Sequence, residues 1–311
     1  MNISPATQLT RLGTPAVVAT TALLLAVTAC GPSGTASTVP SDNAAGQGTR
    51  VPALGVNQAA VGLLPESIKS SKVLRVAIPT NEPPTQYYRE GTQEMTGTNP
   101  DVARLLGEAL GVKVDIQVAN FDSIIPGIAA GRYDMTVSSM TPTTKRMEVL
   151  DFVDYMQVGS SIAAPKGNPQ GIKEDTLCGK KVAVLTGSYQ LTYNIPAADK
   201  ECVAAGTEKL QISEFQDTRQ AISALTSGRQ DAVMADSPVL NFAATQNPAI
   251  EIASTFDVAP VAMGMPKDTG LVKSVSAALD AVIKSDSYRK ALGKYGLESS
   301  AITDARVNFA Q

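Results

Sequence analysis

The feature that most constrains this chain is a unit written twice. Residues 125–139, Ile-Pro-Gly-Ile-Ala-Ala-Gly-Arg-Tyr-Asp-Met-Thr-Val-Ser-Ser, are echoed by residues 222–236, Ile-Ser-Ala-Leu-Thr-Ser-Gly-Arg-Gln-Asp-Ala-Val-Met-Ala-Asp. Each copy reads as a short amphipathic helix stopped by Gly131 or Gly228, then Arg-x-Asp, then an apolar run. A glycine past the last helical turn supplies a left-handed cap, and the apolar run reads as a strand covered on both faces. Aligned without a gap, Ser139 and Asp236 coincide where each strand runs out. Ligands of open α/β sheets bind beyond the carboxyl ends of the strands. One end offering a hydroxyl and one offering a carboxylate imply two similar lobes that face each other across a cleft.

The rest of the chain extends this pattern. Strands are expected at 73–78, 112–118 and 133–138. A helix is expected with Asn99 as its cap, Pro100 in the first position, Asp101 at the positive end of the dipole and Gly111 past its end. The first repeat helix covers 122–130, and Thr141 is read as the cap of a short helix opened by Pro142. Residues 151–156 and 160–164 are extended, and the polar stretch 166–176 leads into a second lobe. There a strand at 181–185, a helix after Gly187-Ser188 and a strand at 210–213 precede the second repeat. A strand at 261–265 returns to the first lobe, and 271–295 is helical, with Val272, Val275, Leu279 and Val282 along one side. Alternating helices and strands argue for parallel sheets with right-handed crossovers. Lobe 1 is thus expected to comprise 66–162 and 260–311, and lobe 2 to comprise 163–259.

The N-terminal segment belongs to neither lobe. One cation, Arg11, precedes an apolar run from Ala16 to Val27 that is too short to span a bilayer. It ends in Val27-Thr-Ala-Cys30-Gly31, with small residues before a cut as in a secretory signal peptide. The cysteine after that cut resembles a bacterial lipoprotein signal, which implies a leader at 1–29 and a lipidated Cys30. The chain would then sit at the outer face of the cell membrane. Residues 30–65, rich in Gly, Ser, Thr, Ala and Pro, read as a flexible tether.

Composition removes several functions. The net charge of −3 and the lack of a basic tract argue against nucleic acid as a partner. With no histidine in the chain, Ser-His-Asp and Cys-His schemes and most catalytic zinc sites fall away. No metal or other cofactor is expected. Three cysteines cannot make a four-cysteine zinc site. With Cys30 lipidated, Cys178 and Cys202 remain; export allows them to pair, or they stay two free thiols.

The densest cluster of functional side chains is Ser138-Ser-Met-Thr-Pro-Thr-Thr-Lys-Arg146. A strand end, hydroxyls and a helix start converge here and suit an anion. The planar guanidinium of Arg146 can grip a carboxylate through two parallel hydrogen bonds; the alternative is a local cap or ion pair. The whole run from Phe121 to Arg146, with Asp151-Phe-Val-Asp154, resembles the extracellular solute-binding proteins of family 3, which serve polar amino acid ABC transporters. The similarity extends over about 73–295. It implies a Venus-flytrap, type II periplasmic-binding-protein fold, in which two α/β lobes on a two-strand hinge close on an amino acid zwitterion. It also implies delivery to a permease, and a monomer is expected.

Carried over by position, the resemblance makes Ser139 and Thr141 partners of the ligand backbone and Arg146 the residue for its α-carboxylate. Asp236 would receive the α-ammonium, and Phe121 would cover the ligand. Thr186, Ser188 and Tyr189 would be second-lobe contacts near the carboxylate. Two positions depart from the family pattern. Glu82, in Asn81-Glu-Pro-Pro84, stands where many relatives carry an aromatic; it pairs with a cationic ligand side chain or sits on the rim facing water. Tyr87 or Tyr88 would then supply the missing ring. The helix opening reads Gly97-Thr-Asn-Pro-Asp101, where Gly-Phe/Tyr-Asp is commoner. Two other functions remain open on this scaffold. One is a cyclohexadienyl-dehydratase-like enzyme, with Glu82 as the only unusual carboxylate to nominate as its acid. The other is a ligand-binding sensor reporting to a separate membrane chain.

Overall fold

The duplication in the sequence is a duplication in space. A computed structural model describes residues 54–309. Two short helices, α1 (Gln58–Gly62) and α2 (Glu66–Ser71), lead into β1 (Val73–Ile78). A small hairpin, β2 (Tyr87–Tyr88) with β3 (Met95–Thr96), precedes α3 (Thr98–Leu110) and β4 (Lys113–Val118). The first repeat unit is α4 (Phe121–Ala129) with β5 (Met135–Met140), followed by the one-turn helix α5 (Thr144–Met147) and the long strand β6 (Leu150–Pro165). The second half runs through β7 (Lys181–Leu185), a π-turn (Gln190–Asn194) continuous with α6 (Ile195–Ala204), and β8 (Gln211–Phe215). The second repeat unit, α7 (Thr218–Thr226) with β9 (Ala232–Asp236), is followed by α8 (Ser237–Gln246). Strand β10 (Ile250–Pro266) then returns to α9 (Leu271–Ile283) and α10 (Asp286–Gly293).

The strand order β4-β1-β5-β10-β6-β9-β7-β8 is nearly its own mirror image. On one side β1 lies parallel between β4 and β5; on the other β7 lies parallel between β8 and β9. The repeat carries the same fastening in each half. Asp134 Oδ2 accepts the backbone N–H of Arg75 at the start of β1 at 2.8 Å, and Asp231 Oδ2 accepts that of Lys181 at the start of β7 at 2.8 Å. The aspartate of Gly-Arg-x-Asp therefore locks each repeat strand to the first strand of its own lobe.

The two parallel triplets are joined by β6 and β10, which pair antiparallel from Leu150↔Pro266 to Pro165↔Ile250. This is the two-strand hinge: the fold is two α/β lobes of the type II periplasmic-binding-protein class. The ladder slips between Phe256 and Ala259, and Asp257 between them takes a left-handed φ of 50°. Each lobe has a core of its own. Leu74, Leu106, Met135, Val275 and Tyr288 belong to one, and Val182, Ile195, Leu210 and Met234 to the other.

Several local expectations shift. Helix α3 is entered through Gly97, not capped by Asn99. Gly97 has a φ of 121°, and a Cβ there would collide with the backbone of Thr85. The cap of α5 is Thr143 rather than Thr141; its Oγ1 accepts the Arg146 N–H at 3.2 Å. The stretch 271–295 breaks at Ser285, whose hydroxyl caps α10. The two extended pieces at 151–156 and 160–164 are one strand. Part of the expected tether is also structured. Ala60, Leu64 and Ile68, spaced by four, are buried in the lobe 1 core, and Asn57 Nδ2 donates to Ala277 O at 3.2 Å. Three apolar residues among small ones are too faint a pattern to read as a helix in advance. The leader, Cys30 and the tether up to 53 lie outside the described residues.

Cys178 and Cys202 are bonded, with their Cα atoms 5.5 Å apart. The bridge ties the approach to β7 to helix α6. Its loop is long enough to contribute roughly 3 kcal/mol by restricting the unfolded chain.

Candidate functional site

Strands β5 and β9 end facing a narrow cleft between the lobes. Glu82, Phe121, Ser139, Thr141, Arg146, Ser188, Tyr189 and Asp236 all line it. Thr186 does not; its N–H is taken by Phe215 O at 2.9 Å, and the chain turns toward the cleft only after Gly187. Neither Tyr87 nor Tyr88 lines it. The rings present there belong to Phe121 and Tyr189.

Arg146 is 8 % exposed and is gripped from both lobes. Nη1 donates to Thr141 O at 2.7 Å and Nη2 to Gly187 O, across the cleft, at 2.9 Å. Its guanidinium carbon lies 5.6 Å from the centre of the Phe121 ring, so this ring is a platform for the cation as well as a wall of the site. These acceptors are neutral carbonyls. Burial therefore lowers the guanidinium pKa to about 10, although the charge of Asp236 opposes this. Two of its five N–H groups are accounted for here; an anion in the cleft would meet a buried cation with donors to spare.

Two carboxyl groups line the same cleft, and Asp236 faces that cation. Asp236, at the end of β9, accepts from Gln190 Nε2 at 2.9 Å. Desolvation raises its pKa to about 6 despite this bond and the charge of Arg146. It is half-buried and lines the cleft. Glu82 is 5 % exposed, so the rim position considered for it is corrected: it is a wall of the cleft. Oε1 accepts the Thr218 N–H at the start of α7, in the opposite lobe, at 2.7 Å. Burial raises the pKa of Glu82 to about 8 against the pull of that bond, with Asp236 and Asp217 adding repulsion. Neighbouring Asn81 also crosses the cleft, donating to Asp217 Oδ2 at 3.1 Å. The lobes are thus closed.

Residues absent from the sequence reading support this set. Gln190 Nε2 bonds both Asp236 and Ser160 Oγ; Ser160 Oγ donates to Asn194 Oδ1 at 3.0 Å, and Asn194 Nδ2 to Asp257 Oδ2 at 2.6 Å. The chain runs from the site to the irregular point of the hinge. Residues 190 and 194 lie on the same π-turn, and π-turns gather at functional sites. Gln86, Thr85 and Thr218 also line the cleft. Residues 86 and 85 sit in the proline-rich loop where no periodicity signals a role.

Comparisons with known proteins agree with this fold. Residues 74–298 match the model of the bacterial extracellular solute-binding proteins, family 3. The chain belongs to that family. It is 27 % identical over 248 residues to the arginine-binding protein ArgT of Corynebacterium glutamicum, covering 79 % of this chain and 81 % of that protein. Among solved structures it is similar to an ancestral arginine-binding protein bound to arginine, with a TM-score of 0.66 and 31 % identity over 72 % of this chain and 98 % of that one. It is also similar to an ancestral amino acid-binding protein described as a precursor of cyclohexadienyl dehydratase, with a TM-score of 0.65 and 30 % identity over 74 % and 98 % of the two chains.

Proposed function

We propose that this chain is the substrate-binding component of an ABC importer. It captures an amino acid with a cationic side chain by lobe closure and hands it to a permease. The observation that carries this reading is the charge set of the cleft: one buried guanidinium held by neutral carbonyls, and two carboxyl groups whose pKa values are raised by burial. A buried charge needs a partner. The α-carboxylate pairs with Arg146, aided by Ser139 and Thr141, while Asp236 receives the α-ammonium. That leaves Glu82 for a second cation. An amino acid carrying a net positive charge completes the set; with a neutral one Glu82 must take up a proton to stay buried. Phe121, Ser188 and Tyr189 close the walls. The names of the relatives, an arginine-binding protein and an ancestral structure with bound arginine, point the same way. Lobe 1 is read as 66–162 and 260–311, now with the packed segment from 54, and lobe 2 as 163–259.

A thermal-shift and calorimetric panel of arginine, lysine, ornithine, histidine, glutamine and glutamate tests this. Tight ligands raise the melting temperature by mass action. Arginine or another cationic member should give the largest shift and be recovered unchanged after hours of incubation. A preference for glutamate would reject the assignment of Glu82, and loss of the ligand would favour the dehydratase-like enzyme, with Glu82 as its acid.

The membrane anchor rests on Val27-Thr-Ala-Cys30 alone. In cells, Cys30→Ser is expected to move the chain from the membrane pellet to the soluble fraction. An unchanged distribution would exclude lipidation at this residue.

A further inference from the structure

Asn99 and Tyr155 are fully buried polar side chains, and both are wired to Ser139. The Ser139 backbone N–H, presented by a left-handed φ of 54°, donates to Tyr155 Oη at 2.9 Å. Tyr155 Oη donates to Asn99 Oδ1 at 2.6 Å. Asn99 Nδ2 then donates to Ser139 Oγ at 3.0 Å, and also to Gln86 Oε1. The circuit starts and finishes on one residue.

Its direction follows from counting protons. A phenol that accepts from a peptide N–H has one proton left, and here the acceptor for it is Asn99 Oδ1. That sets which end of the amide meets Ser139. Turned the other way, the amide would offer an N–H to Tyr155 and leave the phenol proton without an acceptor. With the amide held this way, Ser139 Oγ receives a hydrogen bond from Asn99. Among the described residues no hydrogen bond uses the proton of that hydroxyl, and Ser139 lines the cleft.

We propose that Asn99 and Tyr155 are positioning residues that hold the Ser139 hydroxyl as a donor into the cleft. A hydroxyl proton aimed into the cleft bonds an anionic carboxylate more strongly than the neutral oxygen of a primary carboxamide, so the site favours the acid over the amide. This rests on reading the cleft as an amino acid site and adds how its carboxylate end is enforced. It also gives the unusual Thr98-Asn99 opening of α3 a role. Asn99, released from capping by Gly97, is free to turn inward.

The test compares L-arginine with L-argininamide by calorimetry on the full chain, its Tyr155→Phe and Ser139→Ala variants and the double variant. The amide's extra charge is the same for every protein and cancels when preferences are compared. Tyr155→Phe changes no charge but frees the Asn99 amide to turn. It should reduce the preference for the acid by about fivefold, the worth of one hydrogen bond. In the Ser139→Ala background the same change should move the preference by less than about twofold, because the effect passes through Ser139. A purely structural role would weaken both ligands alike and leave the preference where it was; that result overturns the proposal. So does an equal shift with and without Ser139. Should Tyr155→Phe not fold, Asn99→Leu is read in the same way. A parent chain that binds no amino acid brings down the functional reading and this inference together, whereas binding with an unmoved preference brings down this inference alone.

Discussion

Arg146→Ala is expected to weaken amino acid binding by roughly two to three orders of magnitude, measured by calorimetry. Removing one member of a buried, hydrogen-bonded charge pair costs about 2–5 kcal/mol, mostly because the other charge is left unpaired. The α-carboxylate would be that charge. Arg146→Lys separates the contributions. Lysine keeps the positive charge, but as a point donor it cannot serve Thr141 O, Gly187 O and a carboxylate in one plane. It should recover part of the loss and no more. The fold should survive in both variants. Burial already lowers the guanidinium pKa, so the empty protein is no more stable for carrying this charge, and the melting temperature without ligand should change little. Unchanged affinity in Arg146→Ala would remove the carboxylate assignment, and collapse of the empty protein would make Arg146 a structural residue.

The repeated unit made the cleft legible from the sequence because a period-matched helix, glycine and strand dictate where a strand must end. That rule places Ser139 and Asp236, and the family resemblance, not spacing alone, places Arg146; all three meet in one cavity. What was not legible depends on contacts distant in sequence. Whether Glu82 faces water or protein is decided by Thr218, 136 residues away, whose N–H it accepts. Gln190 reaches Asp236, 46 residues away in sequence, from a π-turn that residue pattern does not announce. The caps shifted for a local reason: Gly97 and Thr143 compete with Asn99 and Thr141, and only the backbone path shows which pair wins. Thr186 and Ser188 differ by a single turn at Gly187, where a Cβ would press on Asp122 of the facing lobe. Sequence carries the periodic part of the site, and tertiary contact carries the rest.

Glu82 should make the pH dependence of binding differ between cationic and neutral ligands. In the closed lobes its carboxyl pKa is raised from 4.5 to about 8, chiefly by burial, against the hydrogen bond from Thr218 and with Asp236 and Asp217 as like charges. In open lobes water reaches the group and its pKa falls back toward the ordinary value. Closure on a neutral ligand such as glutamine must therefore take up a proton at neutral pH. Because the closed-state pKa is the higher one, the closed complex is fully favoured below about 4.5 and loses stability as pH rises through about 8. At about 1.4 kcal/mol per pH unit, glutamine affinity should fall by roughly two orders of magnitude between pH 5 and 7. Arginine places its own charge beside Glu82, keeps it ionised, and should show a nearly flat profile across the same window. Calorimetry in two buffers of different ionisation enthalpy reads the proton directly: uptake with glutamine, little or none with arginine. In Glu82→Gln the two profiles should converge, and the preference for arginine at pH 7 should drop by roughly a hundredfold, since an amide needs no counter-charge. Parallel pH slopes for the two ligands in the parent protein would mean that Glu82 does not meet the ligand, and the cleft would then be built for a neutral amino acid.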